Sequence, residues 1–244
     1  MIILSEAILL EETMVSNIEN DKRILVVAPH PDDESIGCGG LLIKYGQQCD
    51  VLLITDGRKG YASCDKVDED KLAAEREAEL KKSCEIANVK NVFCLKIHDG
   101  EGPKNKKTIR EFDIKGYDFI FVPNHNERQI DHSYLLGVFK KMRNRQKKSI
   151  KIFEYEVWSP LASPTDVLNI SDIIKKKEKM VSQFVTQIKY VDYVALTLSL
   201  NRYRGASYKT QYAETYRYVP YLGFLKSIYR KIPGKWKAVF KSIT

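Results

Sequence analysis

Between residues 24 and 40 the chain runs Ile-Leu-Val-Val-Ala-Pro-His-Pro-Asp-Asp-Glu-Ser-Ile-Gly-Cys-Gly-Gly. The apolar run from Ile24 to Ala28 suits a strand buried on both faces, as strands of parallel sheets are. Pro29 ends the run, and His30, Asp32, Asp33 and Glu34 follow at once. Open α/β sheets form their ligand crevice at the carboxyl ends of the strands. An imidazole and three carboxylates are thus set down at a crevice. A neutral imidazole and a carboxylate can hold a divalent metal, and a second carboxylate beside them can take a proton from water activated there. A capping loop is the plainer reading of the same residues.

The pattern repeats downstream. Apolar strands are expected at 50–55, 91–96, 118–123 and 151–158, and helices at 37–47, 70–88, 133–145 and 171–188, the last with Ser171 as its N-cap. Strands alternating with helices predict an α/β fold with a largely parallel sheet. The polar clusters at 30–34, 55–58, 98–101, 124–132 and 158–166 each follow a strand, as one crevice at one sheet edge requires. Of the four histidines, His30, His98, His125 and His132, the last closes Gln129-Ile130-Asp131-His132 after the fourth strand.

Hydrophobic residues make up 43% of the 244, enough for a sizeable core. No run approaches the ~20 apolar residues of a spanning helix. Residues 1–10 lack a basic lead and Glu6 interrupts them, which argues against a signal peptide. The five cysteines, an odd number without CxxC spacing, read as reduced thiols of a cytoplasmic protein. The net charge of +8 is concentrated in residues 221–244, which hold Lys226, Arg230, Lys231, Lys235, Lys237 and Lys241 and no acid. That tail has the spacing of an amphipathic helix. It suits the inner face of a membrane, or packing on its own domain or another subunit. No nucleic-acid-binding motif accompanies the charge.

Pro-His-Pro-Asp-Asp-Glu followed by Gly-Cys-Gly-Gly resembles the signature of the PIG-L/LmbE-like zinc-dependent N-acetylglucosaminyl deacetylases. The resemblance continues in order through Arg76-x-x-Glu79, Asp99-Gly100, Asp131-His132, Glu154-Tyr155-Glu156-Val157-Trp158, Arg202-x-Arg204-Gly205 and Ala213-Glu214, and covers about residues 24–219. It implies a Rossmann-like three-layer sandwich over residues 1–220, with the active site at the carboxyl ends of the strands and 221–244 as a separate basic tail.

The same resemblance implies zinc, with iron(II) as the other candidate, held by His30, Asp33 and His132. Asp32 would be the general base, and Asp131 would orient a neighbouring imidazole. Arg76 and Asp99 would contact the sugar, although a solvated helix face and an Asp-Gly turn explain them equally well. The sequence departs from the family at Gln129, where a histidine is thought to assist the oxyanion. Glutamine can still donate a hydrogen bond but cannot be a cation, so His125 and Arg128 become alternative partners. The expected activity is removal of the acetyl group from an N-acetylglucosamine-type sugar, free or in a lipid- or nucleotide-linked precursor. The alternatives are an amidase on another amino-sugar conjugate and a non-catalytic carbohydrate-binding protein. A dinucleotide site is disfavoured, because no Gly-x-Gly-x-x-Gly follows the first strand.

Overall fold

Ile24–Ala28 forms strand β1, and every residue of it is buried. The computed structural model describes residues 13–63, 65–146 and 149–221. After β1 come α1 (Asp33–Tyr45), β2 (Cys49–Thr55), α2 (Glu69–Ala87), β3 (Asn91–Ile97), α3 (Lys106–Glu111) and β4 (Phe119–Pro123). The chain continues through α4 (Ile130–Ser133), α5 (Leu135–Arg143), β5 (Lys151–Tyr155), β6 (Asp166–Asn169), α6 (Ile174–Val181), α7 (Val185–Ile188), α8 (Tyr193–Ser207) and β7 (Ala213–Val219).

The strands form one sheet in the order β3-β2-β1-β4-β5-β7-β6. The first five are mutually parallel; β7 is added antiparallel to β5, and β6 antiparallel to β7 at the edge. In register, Val26 faces Val51 on one flank and Phe121 on the other. The chain winds outward from β1 to β3, then crosses back to place β4 against the opposite edge of β1. The order therefore reverses between β1 and β4, and there the loops leaving the two strands diverge to open a crevice.

Two apolar cores cover the two sheet faces. One joins Val26, Leu41, Leu80, Phe121, Met180 and Phe184, and so packs α1, α2 and α6 on the sheet. The other joins Leu25, Leu52, Ile109, Leu135 and Phe139 beneath α3 and α5. This is the three-layer α/β arrangement, with a mainly parallel sheet.

Several boundaries differ from the sequence expectation. Helix α1 begins at Asp33, not near Gly37, because Asp33 and Glu34 in its first turn suit the positive end of a helix dipole. Its glycines sit mid-helix, where they allow close approach: a Cβ on Gly40 would lie 2.9 Å from a Glu214 carboxylate oxygen. Lys177, fully buried, donates to Ile36 O at 2.9 Å and to Glu214 Oε1 at 2.6 Å. The same carboxylate accepts the N–H groups of Gly40 and Leu41. An ion pair thus bonds both ends of one turn of α1.

The helix expected over 171–188 is two short helices, α6 and α7. Ser171 lies before the first of them, hydrogen-bonded to Asn169 and near Thr210. β6, β7 and α8 were not anticipated. The four described cysteines are free thiols, three of them buried. No helix among the described residues is long and apolar enough to cross a membrane. The basic stretch from 222 onward lies outside them.

Candidate metal and catalytic centre

His30 lies in the turn leaving β1, and the N–H of its backbone donates to Asp33 Oδ2 at 2.9 Å. Asp33 opens α1, and His132 comes from α4 beyond β4, so the two strands at the reversal supply one cluster. His30 Nδ1 is 3.1 Å from His132 Nε2. Asp33 Oδ2 is 3.2 Å from His132 Nε2 and 3.4 Å from His30 Nδ1. Ligand atoms about 2.0–2.1 Å from a tetrahedral ion stand about 3.3 Å apart, so this near-equilateral triangle fits one. Two imidazoles and a carboxylate are also a donor set that divalent transition metals take. These three side chains could therefore hold a metal ion.

The electrostatics favour a cation at this point. Burial opposes charge on His30, yet Asp131, Asp33 and Asp99 together hold its pKa well above the usual imidazole value. Burial would also raise Asp33, but the charge of His132 and hydrogen bonds from His132 and His30 hold its carboxyl well below the ordinary range.

Asp32, between two of these residues, has φ 132°. That value is rarely adopted by a side-chain-bearing residue and costs of order 1–3 kcal/mol. Three contacts hold it. Its N–H donates to Glu34 Oε2 at 3.2 Å. Arg76 Nη2 donates to Asp32 Oδ2 and to Pro31 O, both at 2.9 Å. Arg76 Nη1 donates to Gly57 O at 2.6 Å. Gly57 has φ 66°, and a Cβ there would collide with the guanidinium, so the turn after β2 needs glycine for both reasons. Burial, partly offset by the Arg76 charge, raises Asp32 to about 7. Burial likewise raises Glu34 to about 8.

His30, Asp32, Asp33 and Arg76 line a cavity of about 320 Å³. Asp99 stands on its wall, with Oδ1 3.2 Å from His30 Nε2 and Oδ2 accepting the Lys59 N–H. Asp131 Oδ2 is 3.6 Å from the same His30 nitrogen. Its two oxygens accept the N–H groups of Gly100 and Gly102, tying the β3 loop to α4. The imidazole beside Asp131 is thus His30. Gln129 precedes α4 and lines the cavity with Ile130. Arg76 also lines it, but with its guanidinium on three oxygens. His125 and Arg128 do not line it; His125 joins Glu154 and Arg217 in a separate cluster.

Residues that the sequence did not mark as site residues complete the wall. Trp158 and Tyr193 meet edge to face, with centroids 5.5 Å apart, and Lys59 and Gln187 stand near them. Trp158 follows β5, so its strand-end position was a usable signal. Tyr193 and Gln187 come from α8 and α7, which carried none. Glu79, three residues after Arg76, accepts from Thr186 N and Oγ1 and so fastens α7 beside the cavity.

Comparison with known proteins adds a second line. Residues 25–141 match the family described as PIG-L: GlcNAc-PI de-N-acetylase. A diacetylchitobiose deacetylase of Thermococcus kodakarensis is 38% identical over 93 residues, which is 37% of this chain and 34% of that enzyme. The chain spans about a third of the length of the curated relatives it matches. In structure, an N,N'-diacetylchitobiose deacetylase from Pyrococcus horikoshii superposes with a TM-score of 0.71 at 20% identity, covering 86% of this chain and 90% of that one. GalB of Pseudomonas putida, a 4-carboxy-2-hydroxymuconate hydratase, superposes at 0.67 and 18% identity, covering 82% and 97%. At these identities the likeness is one of fold, and the fold carries more than one reaction.

Proposed function

We propose that this chain, whose residues 25–141 match the PIG-L family, is a metal-dependent hydrolase that removes the acetyl group from an N-acetylglucosamine-type sugar. The observation that carries this reading is the triangle of His30, Asp33 and His132, with Asp32 buried beside it on an arginine. Curated relatives named as deacetylases of N-acetylglucosamine-containing compounds support the substrate class.

His30, Asp33 and His132 would hold the metal, zinc or iron(II), which when bound polarises the amide carbonyl and acidifies water. Asp32 takes the proton of the attacking water as general base. A carboxyl titrating near 7 is suited to that step and to returning the proton to the leaving amine. Arg76 keeps one Asp32 oxygen engaged and leaves the carboxylate a single orientation. Asp99 and Asp131 steady His30 from its far nitrogen. Gln129, at the rim, can donate an amide hydrogen to the developing oxyanion. Trp158 and Tyr193 offer an apolar face to the sugar ring. The cytoplasm and a soluble or lipid-linked amino sugar remain the proposed setting, with membrane contact through the basic tail.

The test is metal content and acetate release on a panel of N-acetylglucosamine compounds, wild type against Asp32→Ala. Metal in both proteins with acetate from wild type alone is the expected result. Metal without acetate on any compound turns the reading toward another amide. Absence of metal after reconstitution removes His30, Asp33 and His132 as ligands.

A further inference from the structure

One buried carboxylate near the metal-ligand cluster has no part in the chemistry above. Glu127 lies on the loop between β4 and α4, five residues before His132, and is 4% exposed. Its N–H donates to Asn124 O at 3.1 Å. One of its oxygens, Oε1, accepts three successive backbone N–H groups, from Val157, Trp158 and Ser159, at 3.2, 3.0 and 3.0 Å. Its other oxygen, Oε2, is buried and has no hydrogen-bond partner among the described residues. The far nitrogen of the His132 ring, Nδ1, is in the same condition, in a side chain with no exposed surface. Burial raises the Glu127 carboxyl, and the Ser159 N–H and the charge of His132 draw it back down, which places the two groups within electrostatic reach.

An unpartnered buried acceptor and an unpartnered buried imidazole nitrogen are each costly to leave so, and each is the complement of the other. We infer that Glu127 is the positioning residue of His132: its Oε2 receives the Nδ1–H of the ring, directly or through one bound water, and so holds Nε2 as the lone-pair nitrogen aimed at His30 and Asp33. A ligating imidazole commonly donates its second N–H in this way, and the acceptor fixes both tautomer and ring orientation. The inference rests on the reading of His132 as a metal ligand. It also couples the ligand to the turn that carries Trp158, because one carboxylate serves both.

Glu127→Gln separates the two duties. The amide oxygen can keep the three N–H groups of 157–159, while the amide nitrogen then faces Nδ1 and cannot accept its proton. Zinc affinity is measured by chelator competition for wild type, Glu127→Gln and Asn124→Ala. Asn124 holds the same turn through Ser159 O and its own loop through the Asn126 N–H, both at 3.1 Å, so its variant reports loosening of turn and loop with the Glu127 carboxylate left in place. The expected result is a loss of about 10–100-fold in Glu127→Gln, with Asn124→Ala near wild type. In zinc-loaded wild type, an exchange-protected Nδ1–H of His132 should appear by nitrogen-15 NMR and be absent from Glu127→Gln. Equal affinity in wild type and Glu127→Gln, or an equal loss in Asn124→Ala, overturns the inference while leaving the metal site standing. Wild type that binds no zinc overturns the site itself and this inference with it.

Discussion

At the scale of single residues the centre depends on a strained aspartate. Asp32 holds φ 132° only because Glu34 takes its N–H and Arg76 grips its carboxylate and the preceding carbonyl. Neither contact reaches the atoms proposed to ligate the metal. Asp32→Asn should therefore retain metal and lose about 10²–10⁴-fold in acetate release, the usual worth of a general base; metal analysis beside a turnover assay checks both halves. Arg76 gives a sharper test, since a substrate-binding arginine and a positioning arginine differ in kinetics. Arg76→Ala frees the Asp32 carboxylate, so kcat should fall by about tenfold or more with KM nearly unchanged. A raised KM with kcat preserved would instead make Arg76 a sugar contact.

At the scale of elements, the molecule joins its distant parts through buried ions. Lys177 of α6 and Glu214 of β7 meet at 2.6 Å and both bond to α1, across the glycines that let them approach. Removing one partner strands the other in an apolar interior, at a cost of about 3–5 kcal/mol, whereas replacing both with apolar residues is often neutral. Lys177→Met alone should lower the denaturant midpoint strongly, and Lys177→Met with Glu214→Leu should recover much of it; additive losses in urea titrations would refute the pairing. Such pairs explain what could be read from the chain. β1 and the cluster after it were legible because an apolar run and four polar residues are local signals. β6 and β7 were not, because a four-residue strand and Ala-Glu-Thr-Tyr-Arg-Tyr-Val carry buried charges that periodicity reads as surface. Gln129 to His132 was legible as a motif, but Gly100 and Gly102, the partners that fix Asp131, are set by the tertiary fold.

At the scale of the whole molecule, the cluster bridges two strands whose residues are about a hundred positions apart in the chain: His30 and Asp33 after β1, His132 after β4. An ion held by all three fastens the crevice at the point where the sheet reverses. Because the unfolded chain does not hold these atoms together, a metal bound at the proposed site would stabilise the native state by RT ln(1 + [L]/Kd), about 2.7 kcal/mol at a hundredfold excess over Kd. Melting temperature should therefore rise with zinc concentration in wild type and be indifferent to it in His132→Ala. The proton gives the dependence a direction. Without metal, His30 has a folded pKa raised above its ordinary value by Asp131, Asp33 and Asp99 against the effect of burial. A raised pKa means the folded state binds the proton more tightly than the unfolded one. That contribution is complete below about pH 6.5, the unfolded imidazole value, and is lost as pH rises through the folded value. Metal competes with the same proton, so its affinity grows over the same interval. The gap between zinc-loaded and zinc-free melting temperatures should widen as pH rises. A gap that stays constant, or narrows, would mean that the cation preference of these carboxylates is not what binds the metal.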